Sequence, residues 1–152
     1  MDSNDGPIGG GRLVSLSTAE AEMGFALLMP ASDLASRSNL VEVWSEPSEQ
    51  EVGLVFESEG KRLIIDLYPA YLEDPKANYQ AEIDLNLADQ RLTEILGQPA
   101  IVTEPYTDVP KTNPAWLQFD LNGVDVNLFS YGFSTEDLIE VAQTLEPVPS
   151  PT

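Results

Sequence analysis

Residues 116–131 read WLQFDLNGVDVNLFSY, and this stretch decides the fold. Apolar and polar residues alternate from Trp116 to Leu121 and again from Val124 to Tyr131, which is the period of a strand with one face on a core. Between the two runs, Asn122-Gly123 is a strong hairpin signal, because both residues tolerate positive φ. The stretch therefore predicts two antiparallel strands joined by a tight turn.

The same period of two recurs earlier in the chain. It is present in Leu40 to Ser45, in Val52 to Phe56 and in Leu63 to Leu67. Glu59-Gly60 supplies a turn between the last two runs, so they form a second predicted hairpin. Ala100 to Val102 adds a short strand.

Three segments carry weaker or mixed signals. Asn86 to Gly97 has helical spacing with a cap and a terminator, but a strand from Leu92 to Leu96 fits nearly as well. Tyr71 to Asp84 has no clear period, and Tyr106 to Pro114 is rich in Pro, Thr, Asp and Asn. Both of these segments are therefore predicted to be loops or irregular.

Two capping boxes predict the helices. Ser17 with Glu20 precedes an apolar stretch near the N-terminus, and Ser134 with Asp137 opens a closing helix that Pro147 stops. The order of helix, strands and helix favours an α+β fold. We expect an antiparallel sheet of about six strands, with the N-terminal and C-terminal helices packed on one face.

Composition predicts one folded domain with short tails. A chain of 152 residues is long enough for one core, and 42% of its residues are hydrophobic. Residues 1–12 are mostly Asp, Asn, Gly and Pro, and residues 147–152 are rich in Pro, so neither end can bury much apolar area. We expect a flexible tail over 1–12, a single domain over 13–146 and a Pro-rich tail over 147–152.

The charge limits the partners. Seven Lys and Arg against 26 Asp and Glu give a net charge of −19, which repels nucleic acid and anionic membrane surfaces. There is no run of eighteen apolar residues, so we expect no direct membrane insertion. We expect a monomer whose partner is an unidentified protein or small-molecule ligand.

The residue types argue against an enzyme. The chain lacks both cysteine and histidine, which removes thiol nucleophiles, the commonest general base and the best zinc ligands. Acids are too abundant for any one pair to be informative. Glu42, Glu57 and Asp66 fall in predicted strands, where a solvated sheet face is the expected role. We therefore expect no catalytic residue, no metal site and no cofactor.

Four motifs in order suggest a family. They are AEAEMGFALLMP at 19–30, LVEVW at 40–44, GQPAIV at 97–102 and FSTEDLIEVAQTL at 133–145. From Ser17 to Leu145 the chain resembles a bacterial domain of unknown function found at the C-terminal end of anti-sigma factors and envelope lipoproteins. The resemblance implies a non-catalytic, extracytoplasmic domain tethered to the envelope, and favours a strand at Leu92 to Leu96. That location requires a leader or anchor ahead of this sequence; without one, the protein would be cytoplasmic.

Aromatic residues are the candidate binding positions, because they fall in loops or at strand ends, and Tyr and Trp often anchor interfaces. The candidates are Tyr68, Tyr71, Tyr79, Tyr106 and Trp116. We expect an interaction or sensing domain of the cell envelope that uses the sheet and its loops for recognition. The alternatives are a soluble carrier or inhibitor with a groove between sheet and helices and, ranked last, a carboxylate hydrolase.

Overall fold

The structure is a computed structural model that describes residues 11–105 and 114–148. Its helices are α1 (Leu16–Glu22), α2 (Pro75–Asp84) and α3 (Thr135–Ala142), with short 3-10 turns at Arg37–Asn39 and Pro47–Glu49. Its strands are β1 (Arg12–Leu13), β2 (Leu28–Met29), β3 (Leu40–Glu46), β4 (Glu51–Ser58), β5 (Lys61–Pro69), β6 (Gln90–Ile95), β7 (Gln98–Thr103), β8 (Ala115–Leu121), β9 (Val124–Ser130) and β10 (Glu146–Pro147).

One large antiparallel sheet organises the described residues. Its strand order is β1-β3-β4-β5-β9-β8-β7-β6, and β2 and β10 form a separate two-stranded sheet. The α+β class and the antiparallel sheet are confirmed. The predicted strand number of about six is too low, because the large sheet has eight strands. The two additional strands are β1, which was not predicted, and β6, which lies in the segment where helix and strand signals were mixed.

Three tight hairpins build the sheet, and each turns through two residues with positive φ. Asn122-Gly123 joins β8 to β9 with φ of 55° and 80°, as the opening stretch predicts. Glu59-Gly60 joins β4 to β5 in the same way, at 56° and 77°. The third turn, Leu96-Gly97, joins β6 to β7. The segment with mixed signals is therefore a strand, Gln90–Ile95.

The inner face of the sheet carries the core. Side chains at alternate positions of the central strands are fully buried against α1 and α3, among them Leu54, Phe56, Leu63, Ile65, Leu117, Phe119, Val126 and Leu128. Ala19 of α1 and Leu138 of α3 belong to the same cluster. Each large apolar side chain buried in this way contributes roughly 1.5–3 kcal/mol. The two predicted helices do pack on one face.

The predicted N-cap of α3 is confirmed, whereas the predicted N-cap of α1 is not. Ser134 caps α3, accepting from the Asp137 amide at 3.1 Å, while Asp137 accepts from the Ser134 amide at 3.1 Å, as predicted. The predicted cap at Ser17 is wrong. Ser15 caps α1 instead, accepting from the Thr18 amide at 3.1 Å, because the helix begins at Leu16 and already contains Ser17.

A third helix contradicts the predicted loop at Tyr71 to Asp84. Asp74 caps α2 by accepting from the Ala77 amide at 3.2 Å, and Pro75 occupies the first turn, where its missing N–H costs nothing. The helix has no apolar stripe, since Tyr79 is its one buried residue, and this explains the missing period. It packs on β6 and β7, and its Tyr79 lies apart from the inner core.

Residues just outside the predicted domain limits of 13–146 make contacts with the folded core. Arg12 of β1 is paired with Ser45 of β3. At the other end, the Val148 amide donates to the Leu27 carbonyl at 2.8 Å, and the Val148 side chain is buried. Residues 1–10 and 149–152 of the predicted tails, and Tyr106 to Asn113 of the predicted loop, lie outside the described residues.

Candidate functional site

The outer face of the sheet, opposite α1 and α3, carries two neighbouring rows of polar side chains. Strand register places Asp66, Asn127 and Gln118 side by side across β5, β9 and β8. One step along the strands, it places Tyr68, Asp125 and Asp120 side by side. We call these six residues the polar cluster. In the centre of an eight-stranded sheet, such a set needs internal hydrogen bonds or a ligand.

Asn127 is the hub of the cluster. Its side-chain oxygen accepts from Trp116 Nε1 at 2.9 Å. Its side-chain nitrogen donates to Asp125 Oδ1 at 2.7 Å and to the Tyr68 hydroxyl at 3.1 Å. Gln118 Nε2 lies 3.2 Å from both oxygens of the same Asp125 carboxyl group. The exposed indole of Trp116 is thereby connected to a fully buried acid.

The acids of the cluster hold protons more tightly than ordinary acids. Burial raises the pKa of Asp125 to about 6, although the hydrogen bonds from Gln118 and Asn127 oppose the rise. Burial also raises the pKa of Asp66 well above its usual range, and its hydrogen bond with Glu51 and the nearby charges add to the effect. The pKa of Asp120 is raised by burial. This face therefore takes up protons near neutral pH.

Three buried oxygen atoms around Asp125 have no hydrogen-bond partner in the described structure. They are Asp66 Oδ1, Asp120 Oδ1 and the hydroxyl of Tyr79. Asp120 lies directly opposite Asp125. Tyr79 is 2% exposed, and burial followed by the charges of Asp125 and Asp120 raises the pKa of its hydroxyl. An unpaired buried polar group costs about 1–3 kcal/mol, so the site favours a ligand that supplies donors.

A cavity of about 230 Å³ opens beside the cluster, between α2 and strands β6 to β8. Its lining includes Trp116 and Gln118 of β8, Ile101 of β7 and Glu82 of α2. Ligand pockets usually measure about 300–1,000 Å³. The cavity therefore suits a small ligand or one chemical group of a larger partner.

Four of the five predicted binding residues lie on or beside this face. The Tyr68 and Tyr71 rings stack with centroids 6.0 Å apart, and Tyr71 is 63% exposed. Trp116, 43% exposed, meets Phe129 edge-on at 6.4 Å. Tyr79 lies on α2 rather than in the loop expected for it. Tyr106 lies outside the described residues.

An apolar row flanks the polar cluster on the same face. Val55, Ile64, Phe129 and Trp116 are successive cross-strand partners on β4, β5, β9 and β8. Trp44 packs with the first two of them in a cluster separate from the inner core. The outer face thus combines an apolar strip with buried acids and an aromatic rim.

The expected role of the strand acids holds for two of them and is wrong for the third. Glu42 and Glu57 lie 3.5 Å and 2.8 Å from the Arg62 guanidinium at the surface. Asp66 is not solvated in this way, because one of its oxygens is buried without a partner. The prediction also missed Asp120, Asp125, Asn127 and Gln118. The register of the Asn122-Gly123 hairpin would have placed them side by side.

The described part of the chain has no group of three or more acidic side chains placed to hold a metal ion. Within residues 11–105 and 114–148, no helix combines the length and apolarity needed to cross a membrane. We found no matching family model, curated protein or solved structure for the chain. The family resemblance therefore stays a prediction.

Proposed function

We propose that the chain is a non-catalytic recognition domain that binds a protein or small ligand on the outer face of its sheet, beside α2. One observation carries the proposal: the buried oxygens of Tyr79, Asp66 and Asp120 lack partners among the described residues, and the exposed rings of Tyr71 and Trp116 lie on or beside the same face. A purely structural face would pair or exclude such groups. Exposed Tyr and Trp rings are typical anchors of binding surfaces.

A carrier of a small ligand is the second candidate, and the cavity between α2 and β6 to β8 favours it. A hydrolase fits less well. In a carboxylate hydrolase, both catalytic carboxyl groups must reach the substrate. Here Asp125 is fully buried, and its oxygens accept hydrogen bonds from Gln118 and Asn127. We also propose that the domain works in the bacterial cell envelope, as the family resemblance implies.

Site-specific photo-crosslinking tests the recognition surface. A benzophenone amino acid replaces Trp116 or Tyr71 in the full-length protein, expressed in its natural host. Tyr131 is the matched control, because it is aromatic and 64% exposed but lies beyond the end of β9. We expect one discrete adduct from the outer-face positions, which excess unlabelled domain removes. Equal adducts from Tyr131 would contradict the proposal, and no adduct from the outer-face positions would contradict a macromolecular partner at this surface.

A further inference from the structure

We propose that the polar cluster and the Tyr79 hydroxyl bind a primary ammonium group, carried by a free alkylamine or by a lysine side chain of a partner. This inference rests on the proposed recognition surface and names its ligand chemistry. Three observations support it: the unpaired oxygens, their arrangement around Asp125, and the acids' freedom from competing cations.

The unpaired atoms match the donors of an ammonium group. Asp66 Oδ1, Asp120 Oδ1 and the Tyr79 hydroxyl can all accept hydrogen bonds. An alkylammonium carries three N–H donors and no acceptor. The hydroxyl is decisive, because Tyr79 is buried and no described residue bonds it, although the charges of Asp125 and Asp120 act on it.

The geometry favours ammonium over guanidinium. A guanidinium prefers both oxygens of one carboxylate in a planar fork. The most buried carboxyl group, Asp125, already faces the Gln118 amide with both oxygens, each at 3.2 Å. The unpaired oxygens come instead from three elements, β5, β8 and α2, and Asp66, Asp120 and Tyr79 each interact electrostatically with Asp125. A compact ammonium charge needs no planar pair of oxygens from one carboxylate.

No basic side chain neutralises the cluster within the described residues. The ion pairs of Arg12, Arg62 and Arg91 are made with other acids, namely Glu22, Glu42, Glu57, Glu104 and Glu136. The titratable groups that face Asp66, Asp125 and Tyr79 are themselves acidic or phenolic: Glu51 on β4, Tyr68 on β5, Asp120 on β8, and Tyr71, which faces Tyr68 and Tyr79. A ligand therefore has to supply the positive charge.

Binding should release protons. An ammonium group stabilises the ionised forms of Asp66 and Asp125. Protons bound to these carboxyl groups are therefore released to the solvent, while the amine stays protonated. Because an alkylamine remains protonated up to about pH 10, its affinity should rise with pH between about pH 6 and pH 8.

Isothermal titration of the full chain with n-butylammonium tests this. Parallel titrations at matched ionic strength use three further ligands. They are a lysine-containing peptide, the same peptide with acetyl-lysine in place of lysine, and the same peptide with arginine in place of lysine. We expect saturable one-site binding of butylammonium or of the lysine peptide, proton release in buffers of different ionisation enthalpy, and no binding of acetyl-lysine. Much tighter binding of the peptide than of butylammonium identifies a partner's lysine as the source, and equal binding identifies a free amine.

Variants locate the site. Asp120→Asn and Tyr79→Phe should each weaken binding about tenfold or more, since a hydrogen bond to a charged group is lost. Glu59→Gln and Tyr131→Phe make the same chemical changes at exposed positions and should leave binding unchanged. Thermal melts of all four verify folding.

Several results would overturn the inference: no saturable binding, equal weakening by the control variants, or arginine binding as tightly as lysine. If amines fail while the Trp116 crosslink is still obtained, the recognition surface stands and only its ligand chemistry is wrong. If amines bind and no crosslink forms, the site is confirmed as an amine site without a macromolecular partner.

Discussion

Asn127 donates a 2.7 Å hydrogen bond to Asp125, two residues earlier on the same strand and on the same outer face. Through its oxygen, Asn127 also accepts from the Trp116 indole. The ionisation of a buried acid is thereby coupled to a partly exposed tryptophan, and this relation can be measured optically.

Trp116 fluorescence should therefore report Asp125. In a Trp44→Phe variant, which leaves Trp116 as the single tryptophan, we expect emission to change with a midpoint near pH 6, where the raised pKa of Asp125 lies. Asn127→Ala breaks the connection and should abolish or greatly reduce the change. A midpoint near pH 4 in the parent variant would show that Asp125 is not buried as described.

The buried acids should make the protein less stable as pH rises. The pKa of Asp125 is raised on folding from 3.8 to about 6, so the folded state binds its proton more tightly and loses that advantage through this range. The free energy of unfolding should fall by about 1 kcal/mol between pH 5 and pH 7 from Asp125 alone. Asp66 should extend the decline to higher pH, because its pKa is raised further.

Urea denaturation in 0.5 M sodium chloride measures this, since salt screens the general repulsion of a chain with a charge of −19. Asp66→Asn should flatten the slope above pH 6, and Glu57→Gln at the surface should not. Stability that increases from pH 5 to pH 8 in the parent protein would contradict the burial of these acids.

Alanine substitutions should show that Ser15, and not Ser17, caps α1. Ser15→Ala and Ser134→Ala each remove an oxygen that accepts from a helix amide, and each should cost about 1 kcal/mol. Ser17→Ala is the internal control and should change little, because Ser17 lies inside α1. Equal losses at Ser15 and Ser17, read from denaturant midpoints, would place the start of the helix elsewhere.

Replacing a glycine of a hairpin turn by a residue with a side chain should destabilise the protein. Gly123 has φ of +80°, and an added Cβ would meet no atom within 4 Å. Gly123→Ala should therefore cost about 1–2 kcal/mol through backbone strain alone. Asn122→Gly, one residue earlier, relieves the same strain and should be tolerated. Calorimetric melting of both variants checks the turn, and an unchanged melting temperature for Gly123→Ala would argue against it.

Local signals predicted the parts of the fold that depend on local geometry. The hairpins at Asn122-Gly123 and Glu59-Gly60 follow from alternation plus residues that accept positive φ. α2 was missed because its burial rests on Tyr79, which gives no helical period. The strand β6 was left open because Leu92 and Ile95 suit either period, and only pairing with β7 decides between them.

The aromatic residues of the candidate site could be predicted from the sequence, but its buried polar residues could not, because their burial depends on tertiary packing. Tyr68, Tyr71, Tyr79 and Trp116 were chosen as aromatic residues, and they do lie on or beside one face. Asp125 and Asn127 look like the solvated half of an alternating strand. They are buried instead, at 0% and 2% exposure, in the centre of the sheet on the face that α2 partly covers.

The most direct test of the account maps the binding site by NMR. Backbone amide shifts of the labelled protein are followed during titration with n-butylammonium chloride, against sodium chloride at equal ionic strength. The account predicts saturable shifts concentrated at Asp66, Tyr79, Asp120, Asp125 and Asn127, and none at Lys61 or Tyr131. Shifts spread evenly over the acidic surface, or identical to those caused by sodium, would contradict a recognition site on the outer face.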